Sequence, residues 1–297
     1  MKKEEHVSIS SKFWLCSADC LCGTLSGLIT GGGMTYFYTK YLGLDEGLAS
    51  IVWMIFAAWN ALNDPLFGYI SDRTKSKLGR RIPYIRYGAL LYGLIFILSW
   101  FLWPFGGSQV ALFAQMLLSL FFFDTFYTAI ATSLYVLPYT MAESNQARSG
   151  IFVWKIFFSL LSLGAPLVLF PLVRPDVGES AGHFQAIMIL LGVVTTLVIF
   201  FSTFFYKEKY TSDATDAPRL WESICQCLKN RAFLVYEVIS FTVIFVQTIL
   251  MQGVIYYFDE FTVPMSLAYA SLGVGAVCGI LLWMKLMGKV GVARCIT

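Results

Sequence analysis

Charge is scarce in this sequence. Asp, Glu, Lys and Arg make up 13% of its 297 residues, against about 25% in soluble domains. Histidine is scarcer still: His6 and His183 are the whole complement, so no zinc set can be assembled from them. The seven cysteines, Cys16, Cys20, Cys22, Cys225, Cys227, Cys278 and Cys295, are an odd number and contain no C-x-x-C pair. They read as small apolar residues rather than metal ligands. With no His cluster, the sequence offers an intramembrane enzyme no support. No cofactor is expected.

Hydrophobic residues take the place of charge, at 58% of the chain with 17% aromatic and a mean hydropathy of +0.69. About 20 apolar residues cross the roughly 30 Å hydrocarbon core of a bilayer. Eight such spans are predicted: Phe13 to Tyr41, Gly47 to Ile70, Tyr84 to Trp103, Gln109 to Tyr139, Gly150 to Leu172, Phe184 to Tyr206, Ala232 to Tyr257 and Met265 to Met287. The expected fold class is therefore an all-α polytopic membrane protein, with the lipid bilayer as its surroundings. The net charge of +3 does not signal nucleic-acid binding, because the basic residues sit in short loops. All Lys and Arg except Lys40 and Arg174 fall in the N-terminus, in alternate loops or at the span ends beside them. The positive-inside rule then predicts that both ends are cytoplasmic. The N-terminal MKKEEHVSISSK is polar, and no small-residue cleavage site closes a short apolar core. The first span is expected to be retained rather than removed as a signal peptide. A polar stretch from Lys207 to Arg231 divides the chain into a six-span half (1–206), a central cytoplasmic loop (207–231) and a two-span segment (232–297).

The stretch Asn60 to Tyr84, NALNDPLFGYISDRTKSKLGRRIPY, stands apart from these apolar runs. A carboxylate inside a span is costly in hydrocarbon, which makes Asp64 a functional candidate. Asn60 and Asp64 are four apart and share a helix face, with Asn63 beside them. Together they offer hard oxygen ligands to a small cation, or one site for a proton. The alternative is that Asp64 pairs with a loop arginine. Further along, Asp72, Arg73, Gly79, Arg80 and Arg81 form a short basic loop, which reads as a topology anchor. Other polar residues within spans are Asp19, Asp124 and Lys155. Tyr127 falls one helical step from Asp124. Lys155 either snorkels to the interface or points inward, where an acid of the first or fourth span and the ring of Trp154 or Tyr127 would complete a polar, sugar-sized site. Gly23, Gly27 and Gly31 are spaced for close helix packing, as are Gly275 and Gly279.

Asn60-Ala-Leu-Asn-Asp64-Pro65, with Gly68, Ser71-Asp72-Arg73-Thr74 and Gly79-Arg80-Arg81-x-Pro83-Tyr84, resembles the second helix and following loop of the glycoside–pentoside–hexuronide:cation symporters. These are major facilitator proteins with melibiose permease as type member. Pro138-x-x-Met141-x-Glu143 with Arg148 is similar to the family's loop between the fourth and fifth helices. The resemblance implies a major facilitator-type fold with a complete N-terminal six-helix half and about two helices of the second. It implies proton- or sodium-coupled symport of a small sugar or glycoside. The coupling site would comprise Asp64, Asn60 and Asn63, and the gate loop Asp72, Arg73, Gly79, Arg80 and Arg81. Substrate would meet Lys155, Asp124, Asp19, Tyr127 and Trp154. Two departures matter. Asn60 stands where the family has a second Asp, which shifts the expectation from sodium toward proton coupling, or toward no coupling at all. The family's acid in the fourth helix aligns near Ile130, two turns from Asp124. Against the family's pattern the chain looks truncated after the eighth span, and the alternative expectation is a truncated, non-transporting or regulatory membrane component that needs a second copy or another chain for the missing helices.

Overall fold

A computed structural model describes residues 7–103, 107–175, 180–208 and 220–260, together with positions 271, 274, 275, 278, 279 and 282. The chain divides into two compact units, Met1–Leu220 and Trp221–Thr297. Among the described residues every regular element is helical. The first unit contains α1 (Ile9–Thr30), α2 (Gly33–Tyr36), a π-helical turn (Phe37–Tyr41), α3 (Glu46–Arg73), α4 (Ile82–Leu98), α5 (Gln109–Met141), α6 (Asn145–Val173) and α7 (Gly182–Ser202). These follow the six predicted spans. Their starts are set by side-chain caps: Ser8, Asp45, Ser108 and Ser144 accept from the backbone N–H three residues on, in α1, α3, α5 and α6 respectively. Such caps satisfy the otherwise orphaned first-turn donors.

The first span departs from expectation. Residues Ile9–Tyr41 are long and apolar enough to cross a membrane, but the helix is broken at Gly31 and Gly32. The Gly31 N–H closes the last turn on the Gly27 carbonyl at 2.9 Å, and Gly32 takes a left-handed φ of 94°, open to glycine at little cost. The glycine track therefore serves two purposes. A side chain at Gly23 would strike Ser162, and a Cβ at Gly27 would come within 2.6 Å of Pro166, so these two let α6 approach closely. A Gly27→Leu variant is expected to lose about 1–3 kcal/mol of stability through overpacking. Thermal unfolding in detergent measures this, with Gly164→Ala, whose added Cβ meets nothing within 4 Å, as the silent control.

Contacts give the helix directions. Along α1 and α6 the partners rise together: Asp19 with Lys155, Gly23 with Ser162, Gly33 with Phe170. Along α3 and α5 they do so again: Trp59 with Phe121, Asn63 with Asp124, Asp64 with Thr128. These two pairs are parallel. Antiparallel pairs are α4 with α7 (Arg86 with Thr203, Gln185 with Trp100), α4 with α5 (Gly88 with Ile130, Trp103 with Gln115) and α1 with α7 (Ser11 with Phe205, Phe37 with Phe184). The pattern is unchanged when the first three spans are exchanged for the next three. The α1–α6 seam maps onto the α5–α3 seam, and α4–α5 maps onto α7–α1. That is the arrangement of two inverted three-helix repeats. One end of this bundle gathers Lys12, Arg73, Lys75, Lys77, Arg80, Arg81 and Arg148. The other holds Arg174 and Lys40, the latter paired with Glu46 at 2.6 Å.

The second unit holds α8 (Leu220–Lys229), apart from its first residue, and α9 (Arg231–Glu260). α9 covers the seventh predicted span. α8 lies within the stretch predicted to be a loop. The eighth span, except for six helical positions, lies outside the described residues, as does Cys295.

Candidate functional site

Two polar groups lie in the two equivalent seams of the bundle. In the α3–α5 seam, the buried Asn63 donates its amide to Asp124 Oδ2 at 3.0 Å, and Thr128 Oγ1 donates to Asp64 Oδ1 at 2.8 Å. Asp124 and Thr128 are four apart on α5, so both face α3. Asn60 is half-buried one turn before Asp64. Asp124 is only 5% exposed, so a second carboxylate, borne by a different helix, stands beside the α3 motif. Pro65, inside α3, has no N–H to give the Ala61 carbonyl four residues back, which frees one more oxygen on that helix. The two carboxylates and the Thr128 hydroxyl offer oxygen ligands, the chemistry suited to a proton or a hard cation. Asp64 is exposed, and the Thr128 hydroxyl engages only one of its two carboxylate oxygens.

In the α1–α6 seam, Lys155 Nζ lies 3.2 Å from Asp19 Oδ2, with 12% of the lysine side chain exposed. The ammonium also lies 5.6 Å from the ring of Tyr135. Lys155 thus points into the bundle instead of snorkelling outward. Tyr127 stacks on Phe123 and tilts against Tyr92, whose hydroxyl donates to the Cys22 carbonyl of α1 at 2.7 Å. It sits between the two seams. Trp154 joins an aromatic cluster with Phe13 and Phe158 on the α1–α6 surface.

At the basic end, Arg81 pairs with Asp72 at 2.6 Å and Arg73 lies over the Tyr69 ring at 3.6 Å. The centre of this loop is a residue that the sequence pattern passes over. Glu208, just beyond α7, accepts from the backbone N–H of Arg80, Arg81 and Ile82 at 3.0, 2.8 and 3.0 Å. These donors belong to the start of α4, where a carboxylate is favoured by unpaired N–H groups and the helix dipole. Gly79 holds φ 108°, and a Cβ there would fall 2.7 Å from the Glu208 carboxylate. Only glycine suits both conditions. Glu208→Ala is expected to speed amide exchange at Arg80 to Ile82 by about tenfold or more, since hydrogen bonds to a charged group contribute about 1.5–3 kcal/mol. Hydrogen-exchange mass spectrometry of the loop peptide reads this directly.

Comparison with known proteins places this geometry in context. The family described as MFS/sugar transport protein matches residues 24–297. YagG of Escherichia coli K12, which carries the provisional name of a glycoside/cation symporter, is 29% identical over 188 residues, 60% of this chain and 39% of its own length. The uncharacterized symporter YnaJ of Bacillus subtilis is 26% identical over 260 residues, 85% of this chain and 55% of its own. The inner membrane symporter YicJ of E. coli K12 is 25% identical over 200 residues, 64% and 43% respectively. The chain thus spans about two-fifths to just over half the length of these relatives. With helices long and apolar enough to cross a membrane repeatedly and a match over most of its length, this multi-pass membrane protein belongs to the MFS/sugar transport protein family.

Proposed function

We propose that the chain carries out symport of a sugar or glycoside coupled to a cation, with its basic end and both termini cytoplasmic. The observation that carries this reading is the pair of polar groups in equivalent seams of one bundle. Asn63, Asp64, Asp124 and Thr128 form the coupling group. Asp19 and Lys155, with Tyr127 and Tyr135 near them, form the substrate group. Sugar hydroxyls require closely spaced donors and acceptors, and an ammonium beside a carboxylate supplies both. Aromatic rings nearby suit the C–H faces of a pyranose. Asp124 supplies the second carboxylate that Asn60 does not provide, so sodium and protons both fit the coupling group. The provisional name of YagG, a glycoside/cation symporter, and that of YicJ, an inner membrane symporter, support this reading.

Uptake of labelled glycosides into proteoliposomes, with sodium and proton gradients imposed separately, tests the reading. Accumulation that follows one gradient and collapses with it is the expected result, and it names the ion. Folded protein that accumulates no glycoside under either gradient would overturn the proposal.

A further inference from the structure

We propose that α8 is an interfacial helix that lies along the membrane surface and sets Trp221, Cys225 and Leu228 into the boundary between headgroups and acyl chains. α8 and α9 are separated by Asn230 alone. The Asn230 N–H closes α8 on the Cys227 carbonyl at 3.0 Å, while its side-chain Oδ1 accepts from Ala232 and Phe233 at 3.0 and 3.4 Å and caps α9. A joint of one residue ties α8 to the level at which α9 enters the bilayer. α9 presents the apolar side chains Val238, Ile239, Phe241 and Val243 exposed, as befits a helix in hydrocarbon, with the exposed Glu237 in its second turn.

The spacing on α8 supplies the rest. Trp221, Cys225 and Leu228 recur at i, i+4 and i+7, which places them within a narrow arc. Glu222, Gln226 and Lys229 recur with the same spacing one residue on, a polar arc about 100° away. Trp221 is 74% exposed and Leu228 58%. Large apolar side chains presented together on one face of a short helix fit a lipid boundary, where tryptophan is enriched. Lys229 and Arg231 at the joint suit anionic headgroups. The inference requires α9 to be membrane-embedded and does not depend on what the protein transports.

The full chain, reconstituted in vesicles of phosphatidylcholine and phosphatidylglycerol, would carry one nitroxide at a time. The labelled positions are Trp221→Cys, native Cys225 and Leu228→Cys on one arc, and Glu222→Cys, Gln226→Cys and native Cys227 off it. Within this set the unlabelled members of the Cys225 and Cys227 pair are replaced by Ser, as are Cys20, Cys278 and Cys295, while the buried Cys16 and Cys22 stay. Collision with oxygen, which concentrates in the bilayer, is compared with collision with a water-confined nickel chelate. The expected oxygen-to-nickel ratio is several-fold higher at 221, 225 and 228 than at 222, 226 and 227. Water-like ratios at all six positions would overturn the proposal. Low access of both reagents to 221, 225 and 228 would also overturn it, because protein would then cover that face.

Discussion

Asp124→Asn is expected to abolish uphill accumulation and leave the protein folded in the membrane. The substitution keeps an oxygen that accepts from Asn63, so the 3.0 Å contact across the α3–α5 seam survives. What it removes is the charge, and with it the ability of the seam to exchange a cation or proton as the bundle changes state. Asp64→Asn acts by the same logic, since the replacement amide oxygen still accepts from Thr128, now 2.8 Å away. For each variant the ratio of internal to external glycoside should fall to about one under an imposed gradient. Substrate exchange between equal pools, which needs no coupling, should persist. Unchanged uphill uptake in either variant removes that carboxylate from the coupling group.

Lys155→Ala should weaken substrate binding by about 10- to 100-fold, the loss expected when a charge-assisted hydrogen bond of about 1.5–3 kcal/mol is removed. The ammonium stands 3.2 Å from Asp19, so its loss also leaves a carboxylate without its partner in the α1–α6 seam. Lys155→Arg keeps the charge and should restore part of the affinity. Adding Asp19→Asn to Lys155→Ala separates the two effects. If the ion pair only holds the seam together, the double variant recovers both thermal stability and binding. If the pair contacts substrate, stability recovers and affinity does not. Isothermal titration with a panel of glycosides, alongside thermal unfolding, distinguishes these outcomes.

The spans were legible because hydrocarbon imposes one length on every apolar run, and Ser and Asp caps mark the starts of α1, α3, α5 and α6. The α3 motif was legible because polar residues in a span stand out. Its partner was not. On its own span Asp124 is one more polar residue, and nothing in its neighbourhood shows the hydrogen bond from Asn63, 61 residues earlier. Only the parallel packing of α3 on α5 brings them together. Gly32 was hidden in a run of glycines whose spacing fits packing, and its left-handed turn depends on the break that follows Gly31. α8 vanished in the polar average of Lys207 to Arg231, because ten residues with a narrow apolar arc carry little net hydrophobicity. Glu208 looked like one more charge in a charged loop, since none of its three partners is near it in sequence.

The Glu208 contact constrains how the protein is made. Its carboxylate is 126 to 128 residues beyond the amides it holds. At about 5–20 residues per second of synthesis, the segment from Arg80 to Ile82 leaves the ribosome roughly 6–25 seconds before its acceptor does. During that interval α4 enters the membrane with its first amides unclaimed. The loop is fastened only after α7 has been inserted, so the last helix of the bundle to be synthesised completes the start of the third span.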